Sequence, residues 1–234
     1  MRKKQQGFTL IEIAIVLVII GLLLGGVLKG QELITAARVR NIASQLDGVK
    51  IAYLGFQDRF RVLPGDMTTP AANASIPGTP VTPGCTGGAA CGNGRIDVDE
   101  VYLAWQHLSK AGFITGSYSG TIADTAPTAA NNPVNPYGGY LQLINDSIYD
   151  DNAEPGQAVA LNIKTGGLIP SGVIAELDRK IDDGQPVTGQ FRSLGAVART
   201  QTMTGGLTVV NCNVAGPLWN AAGDLKNCGG ATIQ

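Results

Sequence analysis

Asn93, Arg95, Asp97 and Glu100 lie around the turn glycine Gly94 in the stretch GNGRIDVDE. With Arg95 contributing its carbonyl and Ile96 at the apolar position, this is the donor spacing of the second half of a calcium-binding loop. Such a set of oxygens suits a hard cation, which makes calcium the one candidate cofactor and these four residues its candidate ligands. Ala89 and Cys91 stand where the first two carboxylates belong, so a complete loop is not encoded. The competing reading is structural: Asp97 followed by Glu100 ahead of an apolar helical run has the form of a capping box.

Other catalytic chemistry finds little support. His107 is the sole histidine, in AWQHLSKAG, and there is no HExxH, nucleophile elbow, phosphate loop or dinucleotide fingerprint. We therefore expect no enzyme. Asp182 and Asp183 fall at the end of a predicted helix, where the dipole disfavours negative charge. They read as a solvated helix end, with a cation or a subunit contact as the alternative. The formal net charge is −1, which gives no basic field for a nucleic-acid backbone, and no nucleic-acid partner is expected.

Glu12 poses a sharper chemical question. From Phe8 to Leu28 it is the sole charged residue, in a stretch that as a helix spans roughly 30 Å, the thickness of a hydrocarbon core. An unpaired carboxylate there costs about 2.5–3.5 kcal/mol even on the lenient insertion scale. Glu12 therefore needs a partner. Arg2, Lys3 and Lys4 precede the apolar run and hold the first residues in the cytoplasm, so the chain beyond about Lys29 is expected outside.

The residues KKQQGFTLIE resemble the class III leader of type IV pilins and pseudopilins. The resemblance is strong over residues 1–60 and weaker beyond. It implies cleavage after Gly7 by a prepilin peptidase, methylation of the new amino terminus at Phe8, and pairing of Glu12 with the terminal amine of a neighbouring subunit in a filament. A freed amine and a carboxylate in an apolar bundle offset each other's desolvation, so the chemistry agrees. The resemblance further implies other pilins, an assembly ATPase and its inner-membrane platform as partners, and a bacterial inner-membrane protein with its head in the periplasm and then on a filament. A minor or specialised pilus subunit is the reading preferred; a type II secretion pseudopilin or an adhesin-like tip pilin are the alternatives. The pattern departs in one respect: Lys29 stands where many major pilins carry a proline, leaving Gly21, Gly25 and Gly26 as points of helix weakness.

The elements that must position these residues follow from periodicity. Ile42, Leu46, Val49, Tyr53, Phe56 and Phe60 form one apolar stripe, so the helix is predicted to continue from Phe8 to Arg61 and to be stopped by Pro64 and Gly65. The expected divisions are residues 1–7 leader, 8–28 membrane or filament-core helix, 29–63 amphipathic continuation and 64–234 head. Residues 64–94 and 120–139 read as long surface loops. Val101, Ala104, Trp105 and Leu108 predict a helix capping the head and ending at Gly112. A further helix opens at Pro170 and closes at Gly184, with Val173, Ile174, Leu177 and Ile181 on its apolar face. Residues 140–145, 158–163, 189–194 and 207–212 read as strands, giving an α+β fold with a long helix packed on an antiparallel sheet. Four cysteines in an exported chain favour disulfides. Three pairings exist; proximity favours Cys85 with Cys91 and Cys212 with Cys228, with free buried thiols as the alternative.

Overall fold

The computed structural model describes residues 10–77, 91–149, 158–194, 201–202, 208–210, 212–214, 218–223 and 225–234. It has the expected α+β composition, with a long helix, three shorter ones and an antiparallel four-stranded sheet. Two compact units divide at residue 38: the first comprises Met1–Arg38, the second Val39–Gln234.

Helix α1 runs Leu10–Phe60. None of residues 10–28 is buried, although nearly all are apolar. From residue 39 onward one face changes character: Val39, Ile42, Leu46, Val49, Tyr53 and Phe56 are buried in the core. The predicted stripe is thus the packing face, with Phe60 half-buried at its end. Termination comes at Arg61, which takes a left-handed conformation (φ 60°) while its N–H donates to the Gln57 carbonyl. This is the αL way of ending a helix, reached three residues before Pro64.

The segment 64–77 is not a featureless loop. It contains α2, Thr69–Ser75, with a proline in its first turn and a single buried side chain, Ala72. A seven-residue Ala-rich helix has no apolar period long enough to read, and its proline marks a start as readily as a break. Helix α3, Val101–Lys110, ends as expected, with Gly112 at φ +80°. Its role differs from expectation: every side chain from residue 101 to 108 is buried, so α3 is an interior helix and not a cap.

The main sheet has the order β1-β2-β8-β3, with β1 Gln142–Asp146, β2 Ala160–Lys164, β3 Phe191–Ser193 and β8 Gly230–Ile233. All its pairings are antiparallel. Strands expected at 140–145, 158–163 and 189–194 are present within two residues. Of the one expected at 207–212, the described residues give a strand at Thr208–Val209 (β5), and the correction is its place: it pairs with Gln201–Thr202 (β4) outside the main sheet. The place beside β2 belongs to β8, four residues at the chain's end whose flanking glycines hide any alternation. A last small ladder joins β6, Asn213–Val214, to β7, Leu218–Trp219. Cys212 is bonded to Cys228, as proximity predicts. Cys91 is also disulfide-bonded; its expected partner, Cys85, lies outside the described residues.

Residues 120–139 also depart from a plain surface loop, because three of their asparagines are buried. Asn132 Nδ2 donates to the Leu141 carbonyl (2.6 Å), and Asn135 Nδ2 donates to the carbonyls of Thr165 (2.8 Å) and Gly167 (3.1 Å). Asn135 Oδ1 accepts from the backbone of Tyr137 and Gly139. Side-chain amides here replace a regular ladder in satisfying buried backbone. Helix α4, Ser171–Ile181, buries Val173, Ile174 and Leu177 as predicted, but leaves Ile181, expected on the same face, exposed in its last turn, and buries Asp178, which its apolar face had no reason to include.

Candidate functional site

Gly7 and Phe8, the expected cleavage and methylation positions, lie outside the described residues. Glu12 occupies the first turn of α1 and is exposed, set among the apolar side chains of Leu10, Ile11, Ile13 and Ile15. A carboxylate in that turn complements the positive end of the helix dipole. Around it α1 is long and apolar enough to cross a membrane.

The segment 92–100 is organised by a residue outside it. Asp66, almost fully buried, accepts from three successive backbone N–H groups: those of Gly92 and Asn93 at Oδ1, and that of Gly94 at Oδ2. Gly92 and Gly94 both have positive φ, and their intervening amides form an anion-binding nest that the chain fills with its own carboxylate. Asn93 Oδ1 accepts from the Arg95 N–H (2.8 Å), and its Nδ2 donates to Asp97 Oδ2 (2.7 Å). Glu100 Oε2 accepts from the Asp97 N–H at 2.9 Å, the reach-back half of a capping box. The whole segment is tied to β1 by Ile96 and Asn145, which exchange hydrogen bonds in both directions.

Glu100 is wholly buried, and burial is the main cause that lifts its carboxyl to about 7. The Asp97 N–H pulls the other way, while the charges of Asp66, Asp97 and Asp99 push it further up. His107 lies about two helical turns beyond, stacked on Phe56 with ring centroids 6.1 Å apart. Its Nδ1 accepts from the Gly65 N–H (2.9 Å), and burial, helped by Lys110, lowers it to about 4. It is a neutral core imidazole. Position 65 requires a glycine, because its φ is +94° and a Cβ there would come 2.9 Å from the Glu100 carbonyl oxygen.

Of the expected metal ligands, then, Asn93, Arg95, Asp97 and Glu100 are linked to one another and to Asp66 by hydrogen bonds. Among the described residues, the carboxylates that converge are a different set: one oxygen each from Asp178, Asp182 and Asp183, all within 4.8 Å of one another. Asp178 Oδ2 accepts from Trp219 Nε1 (2.6 Å). Asp182 Oδ2 accepts from the backbone N–H groups of Gln190 and Phe191. Asp183 accepts from the Gln185 N–H (2.8 Å) and the Thr188 hydroxyl (2.5 Å). Burial raises the Asp178 carboxyl to about 7, and Asp183 and Asp182 add to the rise against the support of Trp219 and the Gly184 N–H. Asp66 and Asp178 were the residues sequence reasoning missed. Only the second left a trace, the Asp178, Asp182 pair at helical i, i+4 spacing.

Comparison with known proteins adds to the N-terminal part. Residues 2–28 match a family model described as the prokaryotic N-terminal methylation motif. The chain therefore carries a type IV pilin-like class III leader, followed by an apolar helix that fits a membrane anchor. No curated protein and no solved structure matches.

Proposed function

We propose that the chain is a pilin-like structural subunit, cut after Gly7 by a prepilin peptidase, methylated at Phe8 and assembled into a type IV pilus-type filament as a minor or specialised pilin. The observation that carries this is the methylation motif at residues 2–28 joined to an apolar helix whose first turn holds Glu12. Before assembly the helix anchors the subunit in the inner membrane with the head in the periplasm. After it, the exposed apolar flank of residues 10–28 packs against the same flank of other pilins. Glu12 then meets the Phe8 amine of a neighbour, which offsets the cost of holding either charge in apolar surroundings. An assembly ATPase and its membrane platform drive the step.

Two measurements test this. Mass spectrometry of the mature protein should find methylated Phe8 as the first residue; a chain still beginning at Met1 overturns the proposal. Glu12→Ala should insert into the membrane at wild-type levels and be lost from sheared filaments. Incorporation at the wild-type level would remove the pairing from the account.

A further inference from the structure

We propose that Lys164 and Asp146 condense to an amide between the lysine Nζ and the aspartate Cγ, a covalent cross-link that ties β1 to β2 inside the head. Register brings the two together. In the β1–β2 ladder Lys164 lies opposite Gln142, Asn162 opposite Ile144 and Asp146 opposite Ala160, so these side chains share one face of the sheet. The lysine stem spans the intervening pair, and its Nζ donates to Asp146 Oδ2.

An ion pair is the ordinary outcome of such a meeting, but the surroundings serve one poorly. The Lys164 side chain is 0% exposed and that of Asp146 14%, and among the described residues Asp146 Oδ2 is the one acceptor that Nζ reaches. A buried ammonium carries three N–H donors, so the other two go without an acceptor, a cost that a full charge multiplies. Across the sheet Lys164 faces Ala231 and Asn162 faces Ile233, so β8 brings no side-chain acceptor at these positions. Burial accordingly pulls the Lys164 amine below its ordinary range, against the support of Asp146.

The carboxyl is instead placed as the acid half of an amide. Its Oδ1 accepts from the Ile148 N–H (3.0 Å) and from Asn162 Nδ2 (2.9 Å), two donors aimed at the oxygen where negative charge collects when a nucleophile adds to Cγ. One proton passes from Nζ to Oδ2 within the pair, leaving a neutral amine against a carboxylic acid. The nitrogen lone pair then adds to Cγ while Oδ1 holds the charge. The Cγ–Oδ2 bond breaks as Oδ2 takes a second proton from nitrogen and leaves as water on the partly exposed side of Asp146. An Nζ–Cγ amide remains, with no oxidant, reductant or co-reactant required. Both buried charges are gone, and the carbonyl oxygen keeps the donors already in place. Holding the two groups in contact supplies the effective concentration that such a condensation lacks in free solution. The inference concerns the head alone and is independent of filament assembly.

The test is mass spectrometry of the purified full chain with its cysteines reduced, intact and after denaturation and trypsin. The wild type should be lighter by one water than its processed sequence, and residues 111–179 should appear as one peptide, since a lysine acylated at Nζ is not cut. Between Lys110 and Arg179 the sequence offers trypsin no other site. Asp146→Ala keeps Lys164 and should release peptides 111–164 and 165–179 at full mass; digestion of the denatured chain reads the bond whether or not this variant folds. Complete cleavage after Lys164 in the wild type would overturn the proposal, even in a chain short by one water, because a cyclic imide at Asp146 loses water and leaves the lysine free. Protection of Lys164 persisting in Asp146→Ala would overturn it equally.

Discussion

The two halves of α1 are built from the same backbone and similar apolar letters, yet they meet their surroundings in opposite ways. Residues 10–28 are apolar around the whole circumference and none is buried; residues 39–60 carry one buried face, with Arg40, Asp47 and Asp58 off it. The difference teaches that apolar content alone does not say where a helix buries itself. A helix apolar on all sides needs a solvent or partners on all sides, whereas a one-sided stripe needs a core. The single charge inside the first half then becomes informative, because nothing in a lipid-like environment tolerates it without a counter-charge.

The largest effect that tests this contrast comes from truncating one large side chain in each half. Phe56 is fully buried against Phe60, His107 and Phe113. Phe56→Ala should lower the stability of the detergent-solubilised chain by about 3–5 kcal/mol, the usual cost of emptying an aromatic site in a core. Leu17→Ala, in the exposed half, should shift the same denaturation midpoint by less than about 0.5 kcal/mol. Similar losses from both would erase the distinction.

That contrast was legible in the sequence because both halves are long and periodic, and the same holds for α3, α4 and the first three strands of the sheet. What was not legible had short or non-local causes. Strand β8 is four residues beside glycines, and it earns its central place only when β2 and β3 arrive on either side. Asp66 and the amides of residues 92–94 are brought together by the chain's path, with nothing in the local spacing to announce them. Asp178 was hidden by its neighbours: flanked by apolar positions, it reads as the polar edge of a stripe until Trp219 closes over it. The leader was the most readable part of the candidate site, since its chemistry lies in consecutive residues.

The disulfide sharpens the comparison by acting on one side of it. Cys212 and Cys228 close a loop of 16 residues' separation within the second unit, and a loop of this size contributes about 3 kcal/mol on the chain-entropy model. The double variant Cys212→Ser, Cys228→Ser should lower the unfolding midpoint of the head by that order. Helicity that survives head unfolding, assigned to residues 10–38, should not change. A loss of that residual helicity would show that the first half of α1 depends on the head for its stability.

The smallest effect is a slope. The Glu100 carboxyl, lifted to about 7 in the folded state from its ordinary 4.5, keeps a proton between those values that the unfolded chain has already released. By linkage its contribution to stability is full below about pH 4.5 and is lost as pH rises towards 7, at no more than about 1.4 kcal/mol per pH unit. His107 has the opposite sign: lowered to about 4, it favours the folded state as pH rises from 4 towards 6.5. Glu100→Gln removes this falling contribution and leaves both the falling one of Asp178, also raised to about 7, and the rising one of His107. Urea midpoints of the full chain in detergent at pH 5 and pH 7 should therefore shift in favour of pH 7 relative to the wild type. The neutral amide retains an oxygen for the Asp97 N–H, so the change reads the proton and not the loss of the cap. An unchanged difference between the two pH values would mean that Glu100 is ionised in the folded head at both, and that burial in this half of the molecule is less dry than its packing implies.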